Sequence, residues 1–133
     1  MPSFPKPERL NRRKVIERMF GGGARSLSVF PLRVVYMPTE EGTSAPVAVM
    51  ISVSKRRFKR AVDRNRVKRL IREAYRLNKQ PLVDNMTAQK RRLAMAVIYL
   101  SNELPDFKTV EARMKVALAR VNERMTPAGK AKP

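Results

Sequence analysis

Apolar residues recur along this chain at two intervals, and the changes of interval mark its elements. Leu10, Val15, Ile16, Met19 and Phe20 fall at helical spacing after Pro7, a residue suited to a first helical turn, and predict an amphipathic helix of about three turns. Gly21, Gly22 and Gly23 end it. From Ser26 the period becomes two. Residues 27–37 are rich in β-formers, and Leu32, Val34 and Tyr36 share one face. Pro31 forbids an uninterrupted central strand there and predicts a bend, a bulge or an edge. Residues 38–45 read as a polar turn, and residues 47–54 as a strand buried on both faces. The two strands would form an antiparallel hairpin across that turn.

The chain is organised around residues 55–76, KRRFKRAVDRNRVKRLIREAYR. Val67, Leu70, Ile71, Ala74 and Leu77 make one apolar stripe at helical spacing. Arg64, Asn65, Lys68, Arg69, Arg72 and Arg76 fall on the opposite side, at about 100° per residue. Asp63 suits the positive end of the helix dipole, and Asn78 and Pro81 read as a stop. A loop over residues 80–91 leads to a buried strand at 93–100 (LAMAVIYL). Pro105 and Asp106 then open a last helix, with Phe107, Val110, Met114, Ala117, Leu118 and Val121 on its apolar face. This order predicts an α+β sandwich, helices packed on a small sheet. One domain spans residues 1–125, with an extended lead-in at 1–7 and a disordered basic tail at 126–133.

Charge narrows the function. The chain has 133 residues with 30 Lys and Arg against 11 Asp and Glu, a net charge of +19. Such a field opposes compaction unless a polyanion neutralises it, and nucleic acid is the foremost candidate. A membrane surface is a weaker candidate, because a chain of this size needs its apolar stripes for its own core. No apolar run reaches 18 residues, which excludes a hydrophobic membrane span of that kind. The first residues lack the apolar core of a secretory signal, and a cytoplasmic location is expected.

Protein-based catalysis finds little support. His and Cys are absent, which removes His-based triads, thiolate chemistry and zinc sites. Glu40 and Glu41 are adjacent in a turn, where solubility explains them, and Asp84, Glu103 and Asp106 read as caps or surface. No metal site in the protein is expected. A phosphate-cradling role for the glycine triplet is disfavoured because no P-loop Lys-Ser/Thr follows it. The ordered cationic face is different: Arg outnumbers Lys in residues 55–76, and a guanidinium fork can bridge phosphate oxygens. Helix-turn-helix pairs, zinc sites and leucine zippers, the usual marks of DNA reading, are missing. Phe20 beside the glycines and Tyr36 near a strand end are the aromatics best placed to stack on unpaired bases.

Residues 52–55 (SVSK) followed by 61–76 (AVDRNRVKRLIREAYR) resemble the signature of the protein subunit of bacterial ribonuclease P. The Arg64-Asn65-Arg66 triplet with Lys68, Arg69 and Arg72 carries the resemblance, which extends over about residues 8–124. It implies three helices on a small mixed sheet, like a domain of a small-subunit ribosomal protein, with a left-handed crossover at the basic helix. It implies a subunit that assists removal of the 5′ leader from precursor tRNA, while the RNA subunit performs the hydrolysis with Mg²⁺ and the protein alone is inactive. The partners implied are ribonuclease P RNA and precursor tRNA, with no protein partner required. Lys55, Arg56, Arg64, Asn65, Arg66, Lys68, Arg69 and Arg72 are the RNA contacts implied, and Arg57, Lys59, Arg60 and Arg76 extend that surface. Phe20, Tyr36 and Ile16 would line a leader cleft between the first helix and the sheet. Two positions depart from the family pattern. Ile16 stands where many members carry a second aromatic, and the segment after Lys55 is one residue longer and lacks its glycine. The other readings are a structured-RNA-binding module of ribosomal or chaperone type, and a nucleoid-type DNA binder.

Overall fold

Alternation along the strands divides this protein into two unequal faces. The computed structural model describes residues 13–39 and 45–126. The expected lead-in and helix start before Arg13, the turn carrying Glu40 and Glu41, and the tail from residue 127 lie outside the described residues. In chain order the elements are α1 (Arg13–Arg18), a π-helical turn (Met19–Gly23), β1 (Arg25–Val29), β2 (Leu32–Thr39), β3 (Val47–Ser52), α2 (Ala61–Asn78), α3 (Gln80–Ala88), β4 (Arg92–Tyr99) and α4 (Phe107–Arg124). The four strands form one mixed sheet in the order β1-β2-β4-β3, antiparallel except for the parallel β3–β4 pair.

The expected hairpin across residues 38–45 does not form. β4 lies between β2 and β3, because residues 93–97 are apolar throughout and gain most from a central place with both strand edges paired. The hairpin lies earlier, where β1 and β2 pair with Val29 opposite Leu32. Phe30 and Pro31, joined by a cis peptide bond, make its turn, so Pro31 ends one strand rather than bending it.

One sheet face is sealed. Leu27 and Val29, Leu32, Val34 and Tyr36, Val47 and Val49, and Leu93, Met95, Val97 and Tyr99 meet the buried sides of α2, α3 and α4. Val67, Ile71 and Ala74 hold α2 against this core as expected. Leu77 is exposed and Tyr75 takes its place in the buried stripe. In α4, Val110, Met114, Ala117, Leu118 and Val121 are buried, and the Asp106 carboxylate accepts from the Thr109 amide at 2.8 Å to cap the helix. Hydrogen bonding to Thr109, first among its causes, holds the Asp106 carboxyl below its ordinary range.

The loop expected over residues 80–91 is largely helical. Pro81 sits in the first turn of α3, where its missing N–H costs nothing, and it starts a helix rather than stopping one. Leu82 and Met86, one turn apart, anchor that helix in the core. It ends in a Schellman turn, with Lys90 N–H bonded to Thr87 O and Arg91 N–H to Met86 O, both at 3.0 Å. Lys90 occupies the left-handed region there at φ 56°. At the glycine triplet, Gly22 has φ 107°, and a Cβ on Gly23 would lie 2.9 Å from the Arg18 carbonyl oxygen. These two glycines permit the abrupt passage from α1 into β1.

Lys90 gives a direct check of the turn. Lys90→Gly relieves a left-handed side-chain penalty but adds unfolded-state freedom, so unfolding in urea should require about 0.5–1 kcal/mol more. A destabilised variant would contradict the turn geometry.

Candidate nucleic-acid interface

β3 runs out into a short cationic loop whose backbone is folded by its own residues. The amides of Arg57 and Phe58 bond to the Ser54 carbonyl at 3.2 and 3.3 Å, and the Arg56 amide donates to Ser54 Oγ at 3.0 Å. Phe58, the one apolar residue in the stretch 55–60, turns inward to 7% exposure. Its ring stacks on Tyr99 with centroids 6.0 Å apart, a geometry favourable to aromatic pairs. Burial, first among the causes, raises the Tyr99 hydroxyl pKa, and the hydroxyl donates to the Glu103 carbonyl at 2.6 Å. Arg57 Nη1 donates to Asn102 Oδ1 at 3.1 Å, tying the loop to the segment after β4. The loop is therefore plugged into the core by Phe58. Lys55, Arg56, Lys59 and Arg60 remain exposed around that plug.

The basic helix α2 continues this surface. Asn65, Arg66, Arg69 and Arg72 are exposed, and Arg64 and Lys68 are half-buried. Arg64 has a local structural role: its Nη1 donates to the carbonyls of Phe58 and Lys59 at 2.8 and 3.0 Å. Arg76 is paired with Glu73, donating from Nε to Oε1 at 3.0 Å and from Nη2 to Oε2. Hydrogen bonding within this pair lowers the Glu73 pKa and raises that of Arg76. The charge of Arg76 is partly neutralised, which sets it apart from Arg66, Arg69 and Arg72. Those three repel one another along the helix, a cost that close-packed phosphates would remove.

Among the described residues, the other sheet face is only partly covered. Met19 of the π turn packs on Val35, Met37, Ala48, Ala94 and Ala96, with Ile16, Met50 and Ile98 half-buried around them. The alanines let the first helix sit close to the sheet. Phe20 is 52% exposed beside this contact, and Arg33 is exposed on the same face. Ile16 and Phe20 therefore border an open groove with an apolar floor. Tyr36 does not. It is 1% exposed on the sealed face, where Arg124 Nη1 donates to its hydroxyl at 3.1 Å. The period of two shared with Leu32 and Val34 takes it inward.

The groove and the cationic surface are contiguous through the chain. Met50 and Ser52 lie on the groove side of edge strand β3, and the loop leads from there to α2 on the sealed side. Among the described residues, no group of three or more acidic side chains could hold a metal ion, and no helix is long and apolar enough to cross a membrane. The arrangement offers cations for phosphates and an apolar shelf with an exposed ring for unpaired bases.

Comparison with known proteins agrees with this geometry. Residues 4–122 match the family described as Ribonuclease P. The chain is 48% identical over 116 residues to a "Ribonuclease P protein component" of Porphyromonas gingivalis, covering 87% of this chain and 84% of the relative. A protein of the same description from Chlorobaculum tepidum is 41% identical over 83 residues, 60% of this chain and 53% of that one. Among solved structures, the RNase P protein of Staphylococcus aureus superposes with a TM-score of 0.68 at 20% identity, covering 86% of this chain and 94% of that chain. That of Thermotoga maritima gives 0.63 at 23% identity, covering 90% and 99%. The fold of this chain is the fold of those proteins.

Two arginines on α2 should separate by role. Arg64→Ala removes two carbonyl contacts and should lower unfolding free energy by about 1–3 kcal/mol. Arg69→Ala should stay within about 0.5 kcal/mol of the parent while weakening RNA binding. Equal stability of both variants in denaturant titrations would contradict the loop-holding role of Arg64.

Proposed function

The chain belongs to the ribonuclease P protein family, and from that premise we propose that α2 and its preceding loop dock the catalytic RNA while the open sheet face holds the leader of precursor tRNA. Membership makes it the protein component of a tRNA-processing ribonucleoprotein, associated with ribonuclease P RNA. Catalysis belongs to the RNA, and the protein contributes binding and position.

The observation that carries the reading is the pinned loop. A flexible run of cations gains phosphate contacts only by losing conformational freedom on binding. Here Phe58, Arg64 and Arg57 hold the loop before RNA arrives. Lys55, Arg56, Lys59, Arg60, Arg66, Arg69 and Arg72 then meet close-packed phosphates with less ordering cost. Neutralising those phosphates with protein cations lowers the Mg²⁺ concentration needed to fold the RNA, Mg²⁺ itself being held mainly by the RNA.

Leader recognition is the task of the second face. A single strand laid between α1 and the sheet meets Phe20 as a stacking surface and the floor around Met50 and Ile98, with Ile16 as an aliphatic wall. This favours precursor over mature tRNA, because only the precursor carries a strand to occupy the groove.

The test is binding of precursor and mature tRNA by holoenzyme assembled from the full chain and its cognate RNA. Phe20→Ala should shrink the gap between the two substrates by about 1–3 kcal/mol, the worth of one stacked base. Tyr36→Phe, which alters only the sealed face, should leave the gap intact. Equal loss for both substrates in the Phe20 variant would overturn the groove reading.

A further inference from the structure

A second cationic cluster lies at the far end of the same groove, outside the basic helix and its loop. Arg18, Pro38, Thr39, Lys90, Arg91 and Arg92 line an open cleft of about 580 Å³. Three elements meet there: the end of α1, the end of β2, and the Schellman turn that leads into β4. Lys90 and Arg91 are exposed, and Arg91 Nη1 donates to the Gln89 side-chain oxygen at 3.3 Å. The same Lys90, Arg91 and Arg92 also border a smaller neighbouring cleft with Pro46, Met86 and Thr87, so these cations form a ridge rather than isolated charges.

Position in the sheet links this ridge to the groove. Arg92 pairs across from Thr39 on β2, and Ala94 and Ala96, buried beneath Met19, lead from Arg92 to half-buried Ile98 along the same sheet face. At the other end of that row, Ile98 lies opposite Ser52, close before the cationic loop over residues 55–60. Six residues of strand separate the two ends, about 20 Å. This sheet face therefore carries cations at both ends, with half-buried Met50 and Ile98 toward one end and Met19 of the π turn over its middle. The turn gives independent support. A left-handed position favours Gly or Asn, and nothing in the hydrogen bonding of this turn calls for the lysine found there.

We infer that the cleft at the start of β4 is a second phosphate-binding site, which holds the distal part of the single-stranded leader after it has crossed the groove. The inference rests on the proposal that the open sheet face holds the leader. It assigns the cleft to the leader rather than to the RNA subunit because Arg92 and Thr39 lie on the groove side of the sheet, and because α1, which walls the groove, supplies Arg18. The charge of Lys90 and Arg91 is what the site requires.

The experiment uses holoenzyme assembled from the full chain and cognate RNA, with precursor tRNAs whose leaders lengthen one nucleotide at a time. The parent protein should gain affinity in two stages, as the leader fills the groove and again as it reaches the cleft. The double variant Lys90→Gly, Arg91→Gln, which keeps the turn, should lose the second stage only. For long leaders its slope of log affinity against log salt should flatten by about 1.4, two single-strand phosphate contacts. Its affinity for the RNA subunit and for short leaders should match the parent. A second stage that survives in the double variant overturns this site and leaves the groove reading standing. Equal loss for short and long leaders, or weakened binding of the RNA subunit, moves the cleft to the RNA subunit and also overturns it. A parent protein indifferent to leader length overturns both.

Discussion

Burial of one sheet face beneath α2 and α4 sets where every other part of this molecule can go. A chain with 30 cationic side chains has few apolar residues to spare, and the covered face takes most of them. Tyr36, Tyr75, Tyr99, Leu32, Ile71 and Met114 are all removed from water in that layer. Among the described residues, the opposite face receives only a thin cover from the first helix and its π turn, over alanines. α2 can thus be apolar on one side and densely cationic on the other without exposing its backbone or burying a charge. Separation of the two faces gives a cationic helix and a partly covered groove in one small domain.

The distribution of rigidity obeys the same logic. Cations that must be close together repel, and a loop such as 55–60 would splay if nothing restrained it. Phe58 against Tyr99, Arg57 to Asn102 and Arg64 to two carbonyls supply that restraint, each tying the loop to a different part of the fold. Arg76 has its own counter-ion in Glu73. Positive charge on α2 is therefore graded, and Arg66, Arg69 and Arg72 are the exposed members.

Much of this is legible in the sequence because helix and strand periods are strong local signals. The basic helix, the last helix with Asp106 at its start and the strand β4 appear where apolar spacing puts them. The pairing of strands is not legible. Whether residues 47–52 pair with β2 or β4 depends on which strand gains most from a central position, a property of the assembled sheet rather than of any segment. Pro31 and Pro81 mislead in opposite ways, since proline suits both a strand end and a first helical turn. For Tyr36, nearness to a strand end is a poorer guide than its face-mates Leu32 and Val34, which already point inward. Phe58 is the site residue that periodicity misses, and its signal is a single apolar side chain inside a run of cations. The ridge at residues 90–92 carries no periodic pattern and emerges only when the α3–β4 turn brings it beside α1.

On the proposed reading, labour in the ribonucleoprotein is divided: the RNA cleaves, and the protein supplies fixed cations and a shelf for the leader. The most direct test is the Mg²⁺ dependence of precursor cleavage by the cognate RNA, measured with and without the full chain. The protein should shift the dependence to lower Mg²⁺ while the cleavage position at the mature 5′ end stays the same. An unshifted dependence, although the protein binds the RNA, would contradict this division and leave a protein that docks on RNA without assisting its chemistry.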